Sequence, residues 1–182
     1  MSKPGKRQAI LDAALPLFAA KGFDATAVPQ IAAAAGVAVG TIYRYFPTKE
    51  ALDAALAAAW AARFDDEILQ PLPASATPRA ALRTYWRRLA AFARAHPDGY
   101  RYLEARGGRA GTGERLLREM QTLADWGRRE GTMKPVSATL LVALLRGALA
   151  GLAAHAAPDG VIPQSLAEEM EDCLWNAVAA RG

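Results

Sequence analysis

Residues 22–52 read GFDATAVPQIAAAAGVAVGTIYRYFPTKEAL, and this stretch decides the fold. From Val28 to Ala35 it places Ile31 and Ala32 on one side of a helix, and Gly36 supplies the left-handed residue that ends it. A second helix is predicted from Val39 to Phe46, with Ile42 and Phe46 one turn apart on its inner face. Thr41, Tyr43, Arg44 and Tyr45 are left to point elsewhere. Two short helices joined by a tight glycine turn make a helix-turn-helix.

Toward the N-terminus, Ile10, Ala14, Leu17 and Phe18 recur at helical spacing between Lys6 and Ala20, and Lys21-Gly22 provides the stop. Pro16 removes a backbone hydrogen bond from that helix and predicts a kink there. Toward the C-terminus, Thr48 caps a helix in which Leu52, Leu56, Trp60, Phe64 and Ile68 recur every fourth residue, reaching close to Pro71. The proline-rich segment 71–78 is the clearest break in the chain.

Beyond it, Thr77 and Pro78 open a helix that buries Leu82, Tyr85, Trp86, Leu89 and Phe92 and ends near His96-Pro97. A shorter helix is predicted over Tyr100–Arg106, and one carrying Leu116, Met120 and Leu123 stops at Gly131. Another spans Ser137–His155 and is apolar on nearly every face. In the last, Ser165 with Glu168 forms a capping box, and Met170, Cys173, Leu174, Ala177 and Val178 share one side. The expectation is an all-α chain of about nine helices, with residues 1–52 as a helix-turn-helix domain and 53–182 as a helical body.

Composition agrees. The 182 residues suffice for a buried core, and hydrophobic residues reach 52%, dominated by alanine and leucine rather than β-branched types. The net charge of +4 alone decides little, but its position does. Up to Leu52, Lys3, Lys6, Arg7, Lys21, Arg44 and Lys49 outweigh Asp12, Asp24 and Glu50, so a polyanion would bind here. The single cysteine excludes an internal disulfide and a thiolate-rich zinc site, and the start MSKPGKR lacks the apolar run of a signal peptide. A cytoplasmic protein without metal or cofactor is expected, and no membrane span, because Leu140–Ala154 is too short.

The motif 22–52 closely resembles the DNA-binding signature of the tetracycline-repressor (TetR/AcrR) family. That resemblance implies a DNA-binding transcriptional regulator, most readily a repressor, that grips operator DNA as a homodimer and is released by a small-molecule effector. Tyr43 and Tyr45 match family positions that touch the DNA backbone, and a phenol suits this by bonding phosphate while its ring packs on sugar. Thr41 and Lys49 match further phosphate contacts; a helix dipole alone would favour an anion where Lys49 stands. Val39, Gly40 and Arg44 match base-reading positions, and only Arg44 can reach guanine bidentately. The alternative for Arg44 is a free surface arginine.

Two positions depart from the family. Ala27 stands where relatives carry a capping Ser or Thr, so either Thr26 takes over the cap and its contact or the helix start is weaker. Pro29 occupies another contact position with only apolar surface to offer. Arms such as Lys3, Lys6 and Arg7 would then carry more of the readout.

In the family the last two helices form the dimer interface, and here Gly147 and Gly151 would let another helix approach closely. The resemblance also implies an effector cavity among the middle helices, for which Trp86, Phe92, Tyr102, Met120, Leu123 and Trp126 are candidate walls. Arg146, expected to be buried, would need an anionic partner or effector. The glycine-rich 106–113 reads as a flexible loop rather than a phosphate cradle, and Cys173 as inert packing. Two further classes stay open. His96 and His155, the only histidines, lack partners at triad or metal spacing, which weighs against an enzyme; a DNA-binding protein with a filled core would need no effector.

Overall fold

The computed structural model describes residues 5–106, 113–155 and 163–180. Among them the chain forms α1 (Lys6–Ala25), α2 (Val28–Ala35), α3 (Val39–Tyr45), α4 (Lys49–Ile68), α5 (Pro78–Ala95), α6 (Pro97–Ala105), α7 (Glu114–Arg129), α8 (Ala138–His155) and α9 (Gln164–Val178). The described residues contain no strand, only an isolated antiparallel bridge between Met133 and Ala179. The all-α expectation holds.

Most boundaries follow from the signals that predicted them. Thr48 accepts from the Ala51 N–H at 3.1 Å, Thr77 from Ala80 at 3.2 Å and Ser137 from Leu140 at 3.2 Å, each satisfying an orphan donor of a first turn. Gly36 closes α2 at φ 65°. Three details differ. The non-helical residue inside α1 is Gly22 (φ 80°, ψ 169°), a glycine-only conformation, whereas Pro16 lies on the exposed side without breaking the helix. α6 starts at Pro97, because a proline at a first helical position needs no N–H partner. Ser165 lies inside α9 and does not cap it; Gln164 instead donates to Glu168 at 2.8 Å.

The chain divides into two compact units. The first runs to Arg63 and takes in α6 from His96. Its core is Ile10, Leu11, Ala14 and Phe18 of α1 with Ile31, Ile42, Leu52 and Leu56 of α2 to α4 and Leu103 of α6. The second starts at Phe64, includes α5, and resumes at Gly113. There α5 packs on α7 and α9, and α8 on α7 and α9, around Trp86, Leu89, Phe92, Met120, Leu141, Leu145 and Leu174. The Arg88 guanidinium caps the end of α4, donating to the carbonyls of Ile68 at 3.1 Å and Gln70 at 2.6 Å. No helix among the described residues is long and apolar enough to cross a membrane.

Candidate nucleic-acid interface

The site begins where α1 hands over to α2. The Thr26 side chain is fully buried, and its hydroxyl lies 2.8 Å from the Gly22 carbonyl and 3.2 Å from that of Leu17. It is occupied in holding the glycine break to the start of the motif, which corrects the expectation that Thr26 caps α2 or faces outward. The cap is made from the other side: the Gln30 carbonyl oxygen accepts the Ala27 N–H at 3.2 Å, half of a capping box without its hydroxyl partner. Pro29 is exposed on the first turn of α2.

α3 is anchored by Ile42, 1% exposed, and by Phe46 just beyond its end. On the opposite side Tyr43 is 47%, Tyr45 38% and Val39 37% exposed, an unusual outlay of large apolar surface for so short a helix. Arg44 and Gly40 are exposed beside them and Thr41 is half-buried. The inner face is spent on the core and the outer face is free for a partner.

Lys49 opens α4. Its ammonium sits 4.2 Å from the centre of the Phe23 ring and 3.5 Å from the Asp24 carbonyl oxygen. Next to it, hydrogen bonds to its own backbone N–H and to Thr48 hold the Glu50 carboxyl below the ordinary carboxylate range. Across the unit, the Arg7 guanidinium lies 5.2 Å over the Phe46 ring at the end of α3. Lys6 is exposed one residue earlier, and Lys3 lies outside the described residues. Sequence reasoning missed both aromatic seats; the signal available for Phe23 was an aromatic beside a helix-stop glycine, which periodicity alone does not read.

Behind this surface, α6 is fastened to α4. The buried Tyr102 hydroxyl donates to the Asp53 carboxylate at 2.5 Å and lies 2.9 Å from the Asp53 carbonyl oxygen, while Arg106 pairs with the same carboxylate. Burial, reinforced by the hydrogen bond to Asp53, pushes the Tyr102 phenol far above its ordinary range. The Tyr102 ring stacks on Phe18 at 6.2 Å between centroids, and Phe18 touches Phe23 at 5.7 Å. Tyr102 thus serves the first unit, with its hydroxyl taken by Asp53 rather than offered to an effector.

Residues 10–56 match the family described as bacterial regulatory proteins, tetR family. Over these residues the chain is similar to the TetR family. One relative, the transcriptional repressor KstR2 of Rhodococcus jostii, is 46% identical over 50 residues, which are 28% of this chain. That match spans only 24% of KstR2, less than two thirds of its length. A solved TetR-family structure from Vibrio parahaemolyticus covers 97% of this chain and 100% of its own at 25% identity and a TM-score of 0.74. AibR, solved with isovaleryl coenzyme A and operator DNA, shares the fold over 94% of this chain and 98% of its own, with a TM-score of 0.79 at 20% identity.

In the second unit, the expected effector walls Trp86, Phe92, Met120 and Leu123 are each at most 2% exposed on the packed helices α5 and α7. The Trp86 N–H donates to the Ala167 carbonyl at 2.6 Å, and Phe92 meets Phe64 edge-on at 5.4 Å. Trp126 is half-buried and bonds Glu130 at 2.6 Å. Arg146 is half-buried rather than buried, since α8 presents it at the edge of its packed side. A cleft of about 270 Å³ runs between α5 and α9, and of the expected walls only Trp86 lines it, beside Arg87, Arg94 and Glu168.

The outer sides of α8 and α9 enclose an apolar groove of about 330 Å³ lined by Ala143, Leu144, Gly147, Met170, Cys173 and Ala177. Cys173 is exposed there rather than packed, while Val178 is buried on the inward side of α9 and the buried Leu174 lines the floor of the groove. The glycine-rich residues 107–112 and the His155 side chain lie outside the described residues; His96 sits edge-on to Trp60 at 5.6 Å.

Proposed function

We propose that this chain is an operator-binding transcriptional repressor that acts as a homodimer and is released by a small-molecule effector. The observation that carries the DNA reading is the outer face of α3. Two phenols and an arginine stand in solvent around a buried Ile42, on a unit that also carries Lys6, Arg7 and the half-buried Lys49. Such a short helix gains nothing in stability from exposed tyrosines, but it suits a major groove, where phosphate contacts set register and Arg44 reads a base. Thr41, Tyr43, Tyr45 and Lys49 are the proposed phosphate contacts, and Val39, Gly40 and Pro29 approach the base edges.

The dimer reading rests on the α8–α9 groove. A single recognition helix reads too few bases, and the outer apolar side of α8, with open space at Gly147, suits a second copy of this chain. Effector release is supported by the fold shared with AibR, solved with both a coenzyme A thioester and DNA. The tight packing of Trp86, Phe92, Met120 and Leu123 favours one competing reading, a constitutive DNA-binding protein whose body needs no ligand.

Selection of binding sites from a random DNA pool, followed by titration of acyl thioesters and other small molecules against the selected duplex, tests the proposal. A two-fold symmetric site and a ligand that lowers affinity for it are expected. Failure to enrich any site would overturn the DNA reading, and a ligand that binds tightly without changing DNA affinity would overturn the release mechanism.

A further inference from the structure

Lys49 and Asp53 stand one turn apart on α4, and the contacts leaving them meet again. From Lys49 the path crosses to the Phe23 ring at 4.2 Å, from Phe23 to Phe18 at 5.7 Å, and from Phe18 to Tyr102 of α6 at 6.2 Å. The Tyr102 hydroxyl then returns to Asp53 at 2.5 Å. Arg106, 5.6 Å over the Tyr102 ring, pairs with the same carboxylate and braces the return. All of these residues belong to the first unit, and Phe18, Asp53 and Tyr102 are buried in it.

From this closed ring we infer that Phe23 and Tyr102 are positioning residues for DNA binding, acting through the Lys49 ammonium without touching DNA. The inference rests on the proposed DNA reading and deepens it. A lysine carries three N–H donors on a flexible stem, and ordering that stem on binding costs affinity. Here the stem is ordered beforehand. The Phe23 ring holds the cation from one side, and the Asp24 carbonyl at 3.5 Å takes at most one donor, which leaves N–H groups free for a phosphate oxygen. The ring can serve as a seat only while Phe23 itself is held. Gly22, at φ 80°, breaks α1 just before it, so the run of helix that carries Phe18 does not by itself place the Phe23 ring. The packing of Phe18 fixes it instead, and Phe18 is in turn backed by a Tyr102 ring whose orientation the Asp53 hydrogen bond sets. The same bond fastens α4 one turn after Lys49, so the base of the lysine and the seat of its ammonium share one anchor.

The test uses the full chain and a mixed-sequence DNA duplex, because phosphate contacts are sequence-independent and read out in the salt dependence of affinity. Lys49→Ala is expected to weaken binding and to lower the slope of log K against log salt by about 0.9 per head. Phe23→Leu, which removes the ring and leaves the α6 anchor, should weaken binding about two- to fivefold at low salt, the scale of one exposed cation–π contact. Tyr102→Phe, which removes only the hydroxyl, should act in the same direction.

The deciding readout is the double-mutant cycle. In a Lys49→Ala background both substitutions should change affinity no further, and Lys49→Arg should restore sensitivity to Phe23→Leu. Melting curves confirm that each variant is folded at the assay temperature, and Phe23→Leu carries the test by itself should Tyr102→Phe unfold. Equal weakening by Phe23→Leu with and without Lys49 would overturn the inference, since the residue would then act on the unit at large. If Lys49→Ala instead binds like the unaltered chain with an unchanged salt slope, the phosphate role proposed for Lys49 fails, and the inference fails with it.

Discussion

Gly99, in the first turn of α6, lies directly against the indole of Trp60 on α4. A Cβ at position 99 would collide with three carbons of that ring, so hydrogen is the only side chain the approach tolerates. Gly99→Ala is therefore expected to lower stability by about 1–3 kcal/mol through overpacking. Denaturant unfolding of the two chains checks this, and an unchanged midpoint would mean that the half-buried Trp60 swings aside.

Thr26 holds the α1–α2 corner through its hydroxyl. Thr26→Val keeps the shape and leaves the part-buried hydrogen bonds to the Gly22 and Leu17 carbonyls unmade, which is expected to cost about 1 kcal/mol. Because the side chain faces the core, the salt slope of DNA binding should stay the same at temperatures where both forms are folded. A reduced slope would place the hydroxyl at a phosphate after all.

Arg44 separates base reading from backbone gripping. If Arg44 reads a guanine, Arg44→Ala costs about 1–3 kcal/mol on the selected site and relaxes preference at one base pair per half-site. Equal weakening on all sequences in a competition assay would make it a phosphate contact.

The dimer proposal makes a prediction about α8. Gly147 has open space around it, so Gly147→Glu should leave the fold of one copy intact while placing a charge in the apolar groove. Light scattering is expected to show a shift from dimer to monomer, accompanied by a loss of operator affinity. A variant that remains dimeric would move the interface elsewhere.

Alkaline pH should destabilise the protein through its buried phenols. Burial, with the Glu119 carboxylate beside it, pushes the Tyr85 phenol from 10.0 up to about 12, and Tyr102 is displaced upward as well. Folding thus favours the protonated phenols. Their contribution is complete below about pH 10, where the unfolded chain begins to ionise, and is lost as pH rises through the higher folded value. The melting temperature should fall across that window, and Tyr85→Phe should make the fall shallower.

How much of this was legible beforehand differs between backbone and side chains. Periodicity, caps and glycine stops are local signals, and they located the helices with errors confined to places such as Pro97, where a helix start looks like a helix end. The outward set on α3 was legible for the same reason, since a buried Ile42 on so short a helix leaves Tyr43, Arg44 and Tyr45 facing away. Thr26 was misread because its partners, Leu17 and Gly22, come from the preceding helix. Tyr102 was misread because an aromatic on an apolar helix face looks the same whether it lines a cavity or bonds a carboxylate 49 positions away.

The sequence by itself therefore determined the all-α architecture, the helix-turn-helix and the side chains it turns outward, since these depend on residues within a turn or two of each other. Tertiary structure alone decided that α6 joins the unit carrying the motif, that Tyr102 closes on Asp53, and that Phe23 seats Lys49. Those outcomes depend on which distant faces meet, and a buried hydroxyl or cation takes the nearest partner that the packing supplies.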